Sequence, residues 1–588
     1  MMQRNSSQSN FGLTPLKEAL LACRIMVKYI LVCGFITNIL LLSTSIYSMQ
    51  VLDRVLSSGS VETLVMLTIV VIIALVLLSL IQGARSFAMT MMGSWFEDKL
   101  SKSVFANSIR SALESKANAN SQQMRDLQTV KTYLTSPGLI SIMDTPWAII
   151  FIIVLFILHT YLGLLAIMGS IIILAMGIVA DRSTKPLIEA NNEEFIRSMK
   201  QVDQATRNAE IIEVMGLLKN VNESWNKIND RVQTTQSLSN KRQVVFAEIT
   251  KFVRLILQIC VTGMGAYLVL RGELSSGAMI ASSSLVSRAL APFEAAINSW
   301  KGYLNCRKAY DRLDKAFVRY VDADNAMSLP VPEGKISVEN IYFAPPGSQK
   351  HIIKGMNFVI EPGDVLVIMG NSGSGKTSLA KLMVGAWQPV MGSVRIDGAS
   401  IKDWNRQELG QHIGYLPQDI ELFSGTVKEN IARMNPNANA EDVVMAAQLA
   451  GVHDMILQLP KGYDTEIGMD GSTLSGGQKQ RIGLARTFFG DPKIIVLDEP
   501  NASLDSYGEA ALAAAIEFTK EKKITVVIIS HRTPILSLAN KILMVKDGMI
   551  AAFGPKEQVL EQIKRSSADS IAIQQQNNLN TFIVLEKE

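Results

Sequence analysis

The chain has 588 residues, 48% hydrophobic and 19% charged, with a mean hydropathy of +0.21 and a net charge of +4. Length alone allows three to five soluble domains of about 150 residues, but the charged share is below the usual quarter and the apolar excess lies before residue 300. So small a charge gives no footing for nucleic acid and fits a membrane protein with basic cytosolic flanks, while four scattered cysteines lack CxxC or ligand spacing.

After a short N-terminal segment, residues 1–26, six stretches between 27 and 320 approach the length of about 20 apolar residues that spans a bilayer. They begin at Val27, Val61, Pro146, Tyr161, Phe252 and Gly277, and the last, "GAMIASSSLVSRALAPFEAAI", is the least apolar. No charge occurs between Glu62 and Arg85, which a soluble core helix does not explain. The first run is too long for a cleaved signal peptide. The connections near Asp53–Ser60, at His159 and near Gly272 are short, whereas those at 83–145 and 181–251 are long and rich in Lys and Arg. The positive-inside rule puts the long loops and both termini in the cytosol. Their amphipathic patterns predict helices that project from the membrane.

In the sixth stretch, Arg288 and Glu294 are costly unless they face a water-filled path or pair with each other. Glu294 can also snorkel from the cytosolic end. Ser284 and Arg288 share a helix face at i,i+4 spacing, a candidate wall for a transport path, and Pro292 can bend the helix.

Residues 321–333 read as a polar, Pro-bearing linker. From 334 to 565, short β-branched runs alternate with helical stretches, the pattern of an α/β parallel sheet. Within it, "GNSGSGKT" (Gly370, Asn371, Ser372, Gly373, Ser374, Gly375, Lys376, Thr377) satisfies the P-loop pattern in full, between the strand "DVLVIMG" and a helix that Ser378 continues. Its backbone N–H groups can cradle phosphates, with Lys376 reaching the β and γ groups and Thr377 holding Mg²⁺. The buried strand "KIIVLDEP" ends in Asp498, suited to Mg²⁺ through water, and Glu499, suited to polarising the attacking water. "SHRTP" places His531 near a γ-phosphate, and "GYLPQD" offers Gln418 to metal or water. "LSGGQ" (Leu474, Ser475, Gly476, Gly477, Gln478) supplies a second anion-binding helix start. One nucleotide does not need two such loops in one chain. A two-fold sandwich does, each ATP lying between one copy's Gly370 loop and the other's Ser475 loop.

The order of these motifs resembles that of ABC-transporter ATPases, over residues 334 to 565. The membrane half, through "MDTPWAIIFIIVLFILHTYLG", "RNAEIIEVMGL" and "GAMIASSSLVSRALAPFEAAINSWK", resembles the ABC exporters of bacterial type I secretion systems, in the branch that exports metalloproteases, lipases and haem-binding proteins. The resemblance implies a six-helix membrane domain followed by a P-loop ATPase, in the inner membrane, with membrane lipid around it. It also implies a homodimer, a periplasmic membrane-fusion adaptor, an outer-membrane channel, and polypeptide cargo with an uncleaved C-terminal signal. An exporter of lipids or small amphiphiles is the alternative; an ABC protein acting on nucleic acid or ribosomes does not fit six spans. Two departures stand out. Where relatives stack adenine on an aromatic, "YFAPPG" has Pro345, leaving Tyr342 or Phe343 to substitute. With about 26 residues before the first span, the cysteine-peptidase domain of some relatives is not expected. No motif is legible in 566–588.

Overall fold

A computed structural model describes residues 14–114, 122–320, 328–345, 348, 350–468, 471 and 473–562. The tail at 566–588, residues 321–327 of the linker and the first residues of the N-terminal segment lie outside the described residues. Two compact units result, residues 1–111 with 119–320, and 112–118 with 321–588.

The first unit is helical. A proline at the first turn opens α1 (Pro15–Ala22), and α2 (Arg24–Gln50) follows. A π turn at Val51–Val55 and α3 (Leu56–Ser58) extend it to Gly59, whose φ of +65° ends the run. Next come α4 (Val61–Glu114), α5 (Gln122–Leu134), α6 (Pro137–Asp144), a 3₁₀ turn at Thr145–Trp147 and α7 (Ala148–Leu158). The unit closes with α8 (Thr160–Arg207), α9 (Ala209–Val214), α10 (Leu218–Leu270) and α11 (Ser276–Tyr320). With 54 residues at about 1.5 Å each, α4 is much longer than a hydrocarbon core of about 30 Å. The same holds for α8 and α10.

Among the described residues, five stretches, Pro15–Ser58, Val61–Leu113, Pro137–Leu158, Thr160–Arg207 and Leu218–Leu270, are long and apolar enough to cross a membrane. The sixth helix of the bundle, α11, is less apolar for a physical reason. Its buried positions Ala278, Ala281, Ser282, Leu285, Val286, Ala289 and Leu290 recur every three to four residues against neighbouring helices rather than against lipid. Small residues there permit close approach, and Pro292 lies inside the helix.

Polar clasps tie the bundle. Asp53 accepts from the Gly277 amide (2.8 Å) and the Ser275 hydroxyl (2.5 Å), capping the start of α11 from the π turn. Arg85 of α4 makes a bidentate pair with Asp144 at the end of α6 (2.9 and 2.7 Å), with its own side chain 3% exposed. Glu294 pairs with Arg254 of α10 at 3.2 Å. Of the alternatives open to these two charges, the Arg288–Glu294 pair does not form: six residues apart on one helix, they point in different directions.

The second unit is α/β. Its strands are β1 (Ile336–Phe343), β2 (Ile353–Ile360), β3 (Val365–Gly370), β4 (Met391–Ile396), β5 (Ala399–Ser400), β6 (Ile413–Leu416), β7 (Gly425–Thr426), β8 (Glu466–Ile467), β9 (Ile494–Asp498), β10 (Thr525–Ile529), β11 (Lys541–Lys546) and β12 (Met549–Pro555). Its helices are α12 (Lys376–Met383), α13 (Arg406–His412), α14 (Val427–Ile431), α15 (Ala440–Leu449), α16 (His453–Leu457), α17 (Gly476–Phe488), α18 (Ser506–Glu521) and α19 (Thr533–Leu538). The main sheet runs β12-β11-β3-β10-β9-β6, parallel except for β12. A second sheet runs β2-β1-β4-β5.

Every residue of β9 and β10 is buried, as expected of strands covered on both faces. Their side chains alternate between two cores. Val365, Val367, Ile495, Leu497, Val526 and Ile528 enter the one built with α15, α17 and α18. Leu366, Ile368, Ile494, Val496, Val527 and Ile529 enter the other, with α12 and the second sheet. This covered sheet is the rigid platform on which the site is mounted.

Candidate nucleotide site

Parallel strands deliver their carboxyl ends to one edge, and the motif-bearing segments follow four neighbouring strands there. Gly370 ends β3, Ser530 and His531 follow β10, Asp498 ends β9 and Glu499 follows it, and Gln418 lies just past β6. Ligands bind at that edge of open α/β sheets.

Gly370, Gly373 and Gly375 all have positive φ. Gly375, at φ +100°, is the left-handed N-cap of α12; a Cβ there would meet Ile352 at 3.1 Å. The turn leaves the first amides of α12 facing the loop's hollow, where phosphate fits. Lys376 folds across it, Nζ donating to the carbonyls of Gly370 (2.6 Å) and Asn371 (2.9 Å). Burial lowers its pKa, against the pull of Glu499 and Asp498. Asn371, Ser372 and Gly373 form the loop's turn, and Thr377 and Ser378 occupy the first turn of α12. The buried Ser374 hydroxyl has no hydrogen-bond partner among the described residues.

Asp498 is 1% exposed; among the described residues neither carboxylate oxygen has a hydrogen-bond partner of good geometry, the Thr377 hydroxyl being the near neighbour that acts on it. Burial raises its pKa; the neighbouring Thr377 hydroxyl, Lys381 and Lys376 act the other way, and Glu499 adds to the rise. Two orphaned oxygens beside a phosphate loop are costly unless something positive takes them up. A hydrated divalent cation fits that description, with Thr377 on the loop side, so the donor set suits Mg²⁺.

Glu499 has φ +52°, sparsely populated for a residue with a Cβ. Its carboxylate accepts from Gln418 Nε2 at 3.2 Å, so Gln418 lies next to the carboxylate that would polarise water. His531 is exposed just past β10. Ser530 beneath it is buried, with its hydroxyl 3.4 Å from Asn501 Oδ1.

The second turn that the sequence offers to an anion opens α17. Ser475 is its N-cap in a full capping box: the Gln478 amide donates to Ser475 Oγ (3.3 Å), and the Ser475 amide to Gln478 Oε1 (2.9 Å). A Cβ on Gly476 would meet nothing within 4 Å, so this turn presents an open backbone.

Several contacts are not legible in the sequence. Phe343 is buried and stacked on Trp387 (5.0 Å, 15°), so it is not free to take a base; this corrects its candidacy. Tyr342 remains, edge-on to His351 at 5.9 Å. Gln480, two residues beyond Gln478, bonds the loop that begins at Glu499. In the membrane unit, Arg288 Nη2 donates to Thr44 (2.8 Å) and Ser284 meets Ser45 (3.2 Å), so both face α2. A cavity of about 780 Å³ elsewhere in that unit, walled by Ile173, Ile178, Phe246, Ile297 and Trp300, includes neither.

Known proteins bear on this arrangement. Residues 353–502 match the family described as "ABC transporter", and residues 27–292 match "ABC transporter transmembrane region". The type I secretion system ATP-binding protein PrsD of Rhizobium meliloti (strain 1021) is 36% identical over 93% of this chain and 94% of its own length. The leukotoxin translocation ATP-binding protein LktB of Mannheimia haemolytica is 28% identical over 94% of this chain and 79% of its own. A bacterial Atm1-family ABC exporter solved with ATP bound shares the fold, with a TM-score of 0.77, 22% identity and coverage of 93% and 96%.

Proposed function

The chain belongs to the ABC transporter family, among the type I secretion ATP-binding proteins, and from that premise we propose that it energises the export of polypeptides with uncleaved C-terminal signals. It is an ATP hydrolase coupled to transport, a multi-pass protein of the bacterial inner membrane with its ATPase in the cytosol. What supports the cargo class is likeness along the whole chain, membrane unit included, to relatives named for secretion and toxin translocation. In this reading the working form is a homodimer, joined by a periplasmic adaptor and an outer-membrane channel.

The steps follow from residues. ATP enters with its phosphates on the amides of Gly370–Thr377, and Lys376 exchanges its two loop carbonyls for phosphate oxygens. Asp498 and Thr377 would hold Mg²⁺, which neutralises charge on the phosphates. The partner copy's Ser475 loop closes over the γ-phosphate from the other side. Glu499, steadied by Gln418, orients and polarises the attacking water, with His531 at the γ-phosphate. Hydrolysis removes the contacts that hold the copies together, and a nucleotide with different affinities for the closed and open states is what drives the switch. Ser284 and Arg288 line the path of the extended cargo.

The reading is tested by reconstituting the purified chain in lipid vesicles and measuring ATP turnover. Adding a secreted polypeptide encoded beside it, or that polypeptide's C-terminal segment, should change turnover severalfold; varying the lipid should not. Stimulation by lipid or small amphiphiles alone, with no response to polypeptide, would favour the lipid exporter.

A further inference from the structure

Gln480 sits on the second turn of α17, five residues past the Ser475 cap, with 4% of its surface exposed. Its amide is wholly committed to one loop. Nε2 donates to the carbonyls of Pro500 (2.5 Å) and Glu499 (3.3 Å), and Oε1 accepts from the Ser503 amide (2.7 Å). Two neighbours on α17 lie against the same segment. A Cβ on Gly477 would lie 3.0 Å from the Ser503 carbonyl, and Arg481 pairs with Asp505. The loop needs holding, because Glu499 at φ +52° is in the left-handed region without being glycine or asparagine. Its amide is fixed by Ile529 O (3.0 Å) and its carbonyl by the Ala502 amide (3.2 Å). Gln480 adds three backbone hydrogen bonds from outside the loop and its sheet.

We propose that Gln480 is the positioning residue for Glu499, holding the 499–503 loop so that the carboxylate meets Gln418 and the water it polarises. The inference rests on the reading of Glu499 as the catalytic carboxylate and of a two-fold nucleotide sandwich. In such a sandwich one chain's Ser475 loop touches the partner's ATP, while its Glu499 serves its own. Gln480 therefore joins the element that senses one ATP to the base that acts on the other. A residue that acts on base placement alone changes the chemical step and leaves ground-state nucleotide binding intact.

The test uses the full-length chain in lipid vesicles. Gln480→Met keeps the size but neither donates nor accepts as the amide does; Gln480→Glu keeps an acceptor for Ser503 and puts charge against two carbonyls. Both should lower kcat at least tenfold while the KM for ATP and the equilibrium binding of a non-hydrolysable ATP analogue stay within twofold. Glu should be no better than Met, since the lost donor is what counts. Wild-type kcat in Gln480→Met would overturn the proposal. So would a loss of folded protein in both variants with unchanged turnover per folded molecule, which would assign Gln480 to stability alone. Glu499→Gln is measured alongside: turnover surviving there removes the base assignment itself, whatever the Gln480 variants do.

Discussion

At the scale of single residues, Asp498 and Glu499 are adjacent carboxylates in opposite situations. Asp498 is buried with two unpartnered oxygens, and Glu499 is held by Gln418 on a left-handed backbone. Burial raises the Asp498 pKa. The protonated carboxyl therefore favours the folded chain below the ordinary carboxylate value, and that contribution is lost as pH rises through the raised value. In the proposed Mg²⁺ site, cation binding needs the ionised form, so Mg²⁺ and the proton would compete. We expect Mg²⁺-dependent ATP affinity to weaken on acidification, beginning above the range of an exposed carboxylate, and Asp498→Asn to remove that pH dependence. Titrating ATP with and without Mg²⁺ from pH 8 to 5 measures it; parallel curves for the two proteins would count against the assignment. For Glu499, the outcome is different in kind. Glu499→Gln should abolish turnover while ATP still binds, because in the proposed mechanism the side chain orients water without touching the phosphates. Near-normal hydrolysis by that variant would assign the base elsewhere.

At the scale of elements, the bundle depends on a few buried polar joints. The Arg85–Asp144 pair links α4 to α6, and Gly34 of α2 is pressed against it: a Cβ there would lie 2.7 Å from Asp144 Oδ1. Removing one member of a buried pair strands the other charge, at a cost of about 3–5 kcal/mol, whereas replacing both by apolar groups is far less harmful. Asp144→Ala should therefore sharply reduce the yield and thermal stability of detergent-extracted protein. The double variant Arg85→Met/Asp144→Leu should recover part of the loss, and equal damage from both would show that the charge is not the cause. In the ATPase unit, Arg433 plays a comparable part. Its guanidinium donates to the carbonyls of Arg486 (3.0 Å) and Thr487 (3.2 Å) at the end of α17 and of Gly410 (2.9 Å) in α13. Burial and the nearby Arg486 push its pKa down to about 10, so it remains charged at neutral pH, where the helix ends favour a cation.

At the scale of the whole molecule, one chain carries the Gly370 loop, the Ser475 loop and the proposed catalytic carboxylate Glu499, so in the proposed homodimer two identical copies would complete two sites. We predict ATPase activity that falls on dilution as the dimer dissociates; specific activity constant across dilution in a monomeric preparation would contradict it. Arg288 gives the matching prediction for the membrane half. Its guanidinium is braced by the Thr44 hydroxyl and not by Glu294. Arg288→Glu should impair export much more than basal ATPase activity. Measuring inserted protein, ATP turnover and exported cargo in one preparation decides the matter. Joint loss of folding and turnover would make Arg288 a brace, and normal export would remove it from the path.

What the sequence determined by itself is whatever local chemistry dictates. Apolar runs of spanning length give membrane helices, and glycines before a Lys-Thr helix start give a phosphate loop with Gly375 left-handed. The β-branched runs give strands whose ends lie at one sheet edge. These follow from periodicity and backbone preference, which a short window of residues contains. Tertiary structure alone decided the pairings. Phe343 meets Trp387, 44 positions away, and is lost to the base; Glu294 meets Arg254 rather than Arg288; Gln480 reaches a loop 20 residues on. The weak apolarity of α11 also makes sense only once its neighbours are in place. The physical reason is common to all of these. A side chain's partner is set by the packing of elements far apart in the chain, and burial, which gives Asp498 its unpartnered oxygens and raised pKa, is a property of the assembled fold and of no single segment.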